Sequence, residues 1–254
     1  MGNPLDYTGR VALVTGGTKG VGRGIAAAFA DAGAEVVVCG RNEPEEASTS
    51  TFLACDVRDA EQVGGLVDEI VRRFGRLDVA VNNAGGSPFA PADTASPRFF
   101  ESIVRLNLFA AMHVAQAANR VMQGQDDGGS IINITSLSGM RPSPGTAAYG
   151  AAKAGLLNLT MTLAQEWAPK VRVNAVSGGM IRTELAHLHY GDEESIARVA
   201  ATVPMGRMGT PADIGDACLW LGSPAAAFVS GANLAVHGGG ERPEVLSVTT
   251  NPAH

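Results

Sequence analysis

Short β-branched runs alternate along the chain with longer alanine-rich stretches of helical character. The runs Val11–Thr15, Glu35–Cys39, Phe52–Cys55, Val79–Asn82, Ser130–Ile134, Val171–Val176 and Asn233–Val236 read as strands. Between them, Gly22–Ala32, Ala60–Phe74, Arg98–Met122, Ala147–Ala168 and Pro211–Leu221 have the length and composition of helices, with Pro169 closing the fourth and Pro211 placed to open the fifth. This rhythm predicts an α/β fold in which a seven-stranded parallel sheet is covered by helices on both faces. With no break in composition, no internal repeat and no low-complexity linker, residues 1–254 are expected to form a single doubly wound domain, the last dozen or so residues (about 241–254) being a tail. Only Glu43–Thr51 lies between the second and third strands, so a shortened crossover is expected there.

Composition narrows the possible roles. A 254-residue chain that is 45% hydrophobic can bury a substantial core. Its formal net charge is −6 and its basic residues are scattered, so nothing recruits a phosphate backbone or an anionic membrane, and no nucleic-acid or membrane partner is expected. No apolar run approaches the roughly 18 to 20 residues of a membrane span. The start Met1-Gly2-Asn3-Pro4-Leu5-Asp6 lacks a basic segment followed by an apolar one, so the expected location is cytoplasmic. Cys39, Cys55 and Cys218 are far apart and flanked by apolar residues, which fits reduced, buried thiols rather than a disulfide or metal set. His187 and His189 have no carboxylate or cysteine cluster beside them and read as exposed or substrate-side residues; no metal is expected.

Chemistry concentrates at two places. The first is Thr15-Gly16-Gly17-Thr18-Lys19-Gly20-Val21-Gly22, which follows the first strand and opens a helix. Gly16 permits a tight turn, Gly20 lets the backbone approach a pyrophosphate, and Gly22 lets helix and strand pack closely, while the helix N-terminus offers unpaired N–H groups to an anion. This is the context of a Rossmann-type dinucleotide site. An NAD site normally places an acidic residue at the end of the second strand, yet the chain reads Val38-Cys39-Gly40-Arg41-Asn42. Arg41 can fork onto a 2′-phosphate and Lys19 adds a second positive charge, which favours NADP(H) and leaves NAD(H) open.

The second place is Tyr149 and Lys153, four residues apart, which a helix brings onto one face. Carbonyl reduction needs a proton donor beside the oxygen that becomes alkoxide. A Tyr with an ordinary pKa near 10 is too weak unless a neighbouring cation stabilises its phenolate, a charge Lys153 can supply. Ser136 lies at the carboxyl end of an apolar strand, where doubly wound sheets bind ligands, and its hydroxyl can hydrogen-bond the substrate oxygen. Asn107 sits in the helical stretch Val104-Arg105-Leu106-Asn107-Leu108, a poor position for helix propensity, which implies a purpose beyond filling space.

The Gly-x-x-x-Gly-x-Gly spacing, together with the ordered motifs across about residues 9 to 240, resembles the short-chain dehydrogenase/reductase superfamily, with 3-oxoacyl-thioester-reductase-like members as a prior. The resemblance implies that Ser136, Tyr149 and Lys153 form the active site, that Lys153 also holds the nicotinamide ribose, and that Asn107 holds a water connecting Lys153 to solvent. It implies that Asp56 and Val57, in Cys55-Asp56-Val57, contact the adenine. Asn83, Ala84 and Gly85, in Asn82-Asn83-Ala84-Gly85, line the cofactor's backbone, and Gly179, Ile181 and Thr183 lie near the nicotinamide. The family usually shows Pro-Gly after the sixth strand, whereas Ser177-Gly178-Gly179 places Gly178 where the proline stands. Residues Glu184–Val203 would form a lid, and helices matching Arg98–Met122 and Ala147–Ala168 would pair subunits in a homotetramer.

The expected reaction is hydride transfer between NADP(H) and a small ketone or secondary alcohol. Enoyl reduction is disfavoured because those relatives usually place Tyr and Lys further apart. A cofactor-binding regulatory or scaffold protein without turnover is the alternative from another class.

Overall fold

The computed structural model describes residues 3–44 and 49–241. Seven strands, β1 (Val11–Thr15), β2 (Glu35–Gly40), β3 (Thr51–Ala54), β4 (Val79–Asn82), β5 (Gly129–Ser136), β6 (Val171–Gly178) and β7 (Asn233–Val236), form one sheet in the order β3-β2-β1-β4-β5-β6-β7. Every pairing is parallel. The sheet is doubly wound, and strand order reverses between β1 and β4, opening a crevice at their carboxyl ends.

Alternating side chains of β1 show how the two layers arise. Val11 and Leu13 point to one face, where they meet Leu66 and Ile70 of α2 (Ala60–Phe74) and Val114 and Met122 of α4 (Ala110–Met122). Ala12 and Val14 point to the other, against Ile25 and Phe29 of α1 (Gly20–Asp31) and Ile214 and Leu221 of α8 (Pro211–Gly222). The two-residue period of a strand thus divides one apolar run between two cores. Helix α8 begins as its sequence implies: Pro211 follows Thr210, whose side chain and that of Asp213 form a reciprocal capping box.

Several expected boundaries shift. Helix α1 begins at Gly20, two residues early, and β3 ends at Ala54, although the Cys55 N–H still donates to the Gly40 carbonyl at 2.9 Å. The stretch expected as one helix over Arg98–Met122 divides into α3 (Pro97–Val104), a π-helical turn (Arg105–Phe109) and α4. Helix α5 (Ala147–Glu166) stops short of Ala168. The described residues between β2 and β3, 41–44 and 49–50, contain no helix, consistent with a short crossover. Of the expected tail, only Glu241 lies within the described residues, where it pairs with Arg141.

All three cysteines are free and buried. Cys39 and Cys55, distant in sequence, come together at the ends of β2 and β3 with their thiols side by side. Among the described residues, no helix is long and apolar enough to cross a membrane, and no group of three or more His, Cys, Asp or Glu side chains is placed to hold a metal ion.

Candidate active site

The glycine turn joins β1 to α1 with left-handed backbone at Gly16 (φ 63°) and Gly20 (φ 55°), conformations that favour glycine. Gly22 is required by proximity: a Cβ there would lie 2.3 Å from the Gly16 carbonyl oxygen and 2.5 Å from Asn83 Nδ2. Asn83 braces the turn from just beyond β4, donating to the carbonyls of Thr15 (2.9 Å) and Gly16 (3.3 Å). The Thr15 hydroxyl in turn accepts from the N–H groups of Asn83 and Ala84, both at 3.0 Å. The expected lining role of Asn83 and Ala84 is therefore accompanied by a second one, holding the turn in shape.

A cleft of about 470 Å³ runs along the carboxyl ends of the strands. It brings together Gly16, Lys19, Gly20, Val21 and Gly22 from the turn, Asn83, Ala84 and Gly85 after β4, Ser136, Tyr149 and Lys153, and Gly179, Ile181 and Thr183 after β6. A neighbouring cleft of about 530 Å³ is lined by Thr18, Lys19 and Arg41, with Arg23, Glu43 and Glu184. Asp56 is engaged elsewhere: its carboxylate accepts from Arg58 Nε (2.9 Å) and Nη2 (2.5 Å), which holds its pKa down to about 2. Val57 is buried beside it, and its carbonyl faces His113 Nδ1 at 3.4 Å.

Ser136 ends β5, paired with Gly178 of β6, and Gly178 is itself paired with Val236 of β7. The glycine that stands in the usual proline position is thus the last ladder residue of a central strand rather than part of a loop. Helix α5 places Tyr149 and Lys153 one turn apart on its inner face. Lys153 is buried, and its ammonium donates to the Ile134 carbonyl at 2.7 Å and lies 5.6 Å from the centroid of the Tyr149 ring. The Ser136 hydroxyl lies beside the Tyr149 phenol, and both line the cleft.

The electrostatics differ from the sequence expectation of a phenol made more acidic by Lys153. Burial pushes the Tyr149 pKa up; the neighbouring Ser136 hydroxyl opposes this, and Tyr190 adds to it. Burial also lowers Lys153 to about 8. The reason is desolvation: each side chain loses the water that would stabilise its charged form.

Asn107 is buried at the π-helical turn, whose wider backbone was not legible in the sequence. Its Oδ1 accepts from the Gly86 N–H at 2.8 Å, while Nδ2 donates to the carbonyls of Gly86 and Ile103, each at 2.9 Å. Both amide hydrogens are therefore committed to backbone, and the side chain holds the turn after β4 beside the active site. The only outward signal was an Asn in an apolar helical stretch.

The segment expected as a lid contains α6 (His187–Tyr190) and α7 (Glu193–Thr202). Ala186, Ile196 and Met208 give it a small core separate from the two main ones. Leu185, Ala186, His189 and Tyr190 line the cleft, while His187 is exposed. Glu184, noticed in the sequence only as the start of this segment, accepts a hydrogen bond from the Gly20 N–H at 2.8 Å.

A glycine turn delivering a helix N-terminus to the point where strand order reverses, beside a Ser, a Tyr and a buried Lys, defines an α/β oxidoreductase of the dinucleotide-binding class. The chain belongs to the short-chain dehydrogenase/reductase superfamily: residues 16–241 match the family described as enoyl-(acyl carrier protein) reductase. It is 38% identical over 253 residues to L-fucose dehydrogenase of Oryctolagus cuniculus, covering 95% of this chain and 88% of that protein. Among solved structures it is similar to the ligand-free aldohexose dehydrogenase of Thermoplasma acidophilum, with a TM-score of 0.87 and 32% identity over 98% of this chain and 97% of that one. It is similar also to a gluconate 5-dehydrogenase from Burkholderia cenocepacia in complex with NADP and tartrate, with a TM-score of 0.85 and 33% identity over 93% of this chain and 96% of that one.

Proposed function

We propose that the protein interconverts a ketone and a secondary alcohol, with NADP(H) as the preferred hydride carrier and Tyr149 as the general acid/base. The observation that carries this reading is the meeting of Ser136, Tyr149 and buried Lys153 in one cleft with the glycine turn. The residues fit a dinucleotide, since the turn already accommodates an anion at its helix N-terminus, the carboxylate of Glu184. When bound, the nicotinamide supplies or accepts the hydride.

The chain's own groups handle the proton. Tyr149 protonates the carbonyl oxygen in reduction and takes the proton back from the alcohol in oxidation. Ser136 donates to the same oxygen as charge develops, and Lys153 stabilises the phenolate. Asn107, through its grip on Gly86, keeps the wall beside Lys153 in place, and the remaining lone pair of its Oδ1 is available to a water. The four-residue step from Tyr149 to Lys153 supports carbonyl rather than enoyl reduction.

The test is a screen of ketones and secondary alcohols with both NADP(H) and NAD(H), following nicotinamide absorbance. Because the similar proteins are named for fucose, aldohexoses and gluconate, sugars and sugar acids come first. Turnover with a preference for NADP(H) is expected. Arg41→Ala is expected to reduce that preference by roughly 10- to 100-fold, the worth of a charge-assisted hydrogen bond to a 2′-phosphate. Dinucleotide binding without turnover of any compound would support the regulatory alternative, and an NAD(H) preference untouched by Arg41→Ala would remove the role given to Arg41.

A homotetramer forms part of the same reading. Phe109, in the π-helical turn, and Met161, in α5, are apolar and half exposed on the two helical stretches that would pair between subunits. Sedimentation equilibrium is expected to give four times the 26.0 kDa of one chain. A monomer at micromolar concentration would contradict it.

A further inference from the structure

We propose that Glu184 is an internal occupant of the phosphate cradle, which a dinucleotide must displace, so that this side chain sets cofactor affinity and ties cofactor binding to movement of the segment leading into α6. The inference rests on the reading of the glycine turn as the dinucleotide site.

Helix α1 has no cap of its own. Its N-cap residue, Lys19, makes no side-chain capping bond, and no acidic residue lies in its first turn, so the leading N–H groups lack a local acceptor. Glu184 arrives from the far end of the chain and fills that role, Oε1 accepting from the Gly20 N–H at 2.8 Å and Oε2 lying 3.7 Å from Arg23 Nη2. Burial acts to raise its pKa, but the Gly20 N–H, its own N–H, Arg23 and Lys19 together hold it below the ordinary carboxyl value. An ionised carboxylate therefore sits where the positive end of the α1 dipole and two cations favour an anion.

One N–H cannot serve two anions, and a phosphate brought beside a fixed carboxylate is repelled by it. The side chain is 39% exposed, which leaves it a route out into water. Approach to Gly20 is otherwise open, the nearest atom to a Cβ built there being Thr183 Cγ2 at 3.7 Å. Because Thr183 and Leu185 on either side of Glu184 both line the cleft, moving the carboxylate shifts residues that face the nicotinamide end.

Fluorescence titration of NADPH and NADH into the parent protein, Glu184→Gln and Glu184→Ala tests this. Both variants are expected to bind both dinucleotides roughly 5- to 20-fold more tightly, as removal of a competing charge at a helix N-terminus implies. Without dinucleotide, Glu184→Ala is expected to melt below the parent, since α1 loses its borrowed cap; at saturating NADPH the difference is expected to vanish. Unchanged or weaker binding in the variants, with the parent binding normally, overturns the role of Glu184 and leaves the site reading intact. Failure of all three proteins to bind any nicotinamide dinucleotide overturns both.

Discussion

Replacing Tyr149 by Phe is expected to lower kcat by about 10³- to 10⁴-fold, some 4 to 5.5 kcal/mol of transition-state stabilisation, while NADPH binding measured by fluorescence persists. The substitution keeps the aromatic ring on α5 and removes only the phenol oxygen beside Ser136. The glycine turn, which joins β1 to α1, is left unaltered by the substitution. The pH dependence follows from the directions of the shifts. Burial raises the phenol's pKa, so the proton donor persists through neutral pH and reduction declines only on the alkaline side. Oxidation needs the phenolate and climbs as pH rises. Lys153 loses its charge near 8, and with it part of its support for the phenolate, so Lys153→Met is expected to erase that break from the kcat/KM profile as well as slow the reaction. A Tyr149→Phe enzyme as fast as its parent would end the assignment of roles.

Gly22→Ala is expected to destabilise the protein by about 2 to 3 kcal/mol and to weaken dinucleotide binding at least tenfold. The added methyl would sit 2.3 Å from the Gly16 carbonyl oxygen, a backbone atom in the turn itself, and 2.5 Å from the amide of Asn83 that braces it. Neither can retreat without opening the turn, so the clash reaches stability and cofactor binding at once. Gly65→Ala in α2 is the control: a Cβ there meets nothing within 4 Å, and the loss of glycine from an exposed helical position is expected to stabilise by about 0.5 to 1 kcal/mol. Thermal melts and NADPH titrations of the two variants separate the effects. A Gly22→Ala protein that melts and binds like its parent would show that the turn can relax.

Much of the architecture was legible because it is local. Strands were marked by apolar β-branched runs, α8 by Pro211 behind Thr210, and the cofactor turn by glycines whose left-handed backbone few other residues tolerate. Tyr149 and Lys153 were recognisable as a pair because helical spacing alone puts them on one face. The limits were equally physical. The bonds that hold the Asn107 side chain at the π-helical turn reach Gly86, which belongs to the loop after another strand, so no nearby residue announced them.

The contact between Cys39 and Cys55 required β2 and β3 to pair, and the bond from Gly20 to Glu184 spans 164 positions. The acidities of Tyr149 and Lys153 likewise depend on how much water each has lost, a property of everything packed around the cleft. Patterns written within a few residues define the strands, the helices, the turn and the side chains proposed to react. Burial, charge state and the company each group keeps arise only when distant segments exclude solvent together, because desolvation and long-range contact have no counterpart in an extended chain.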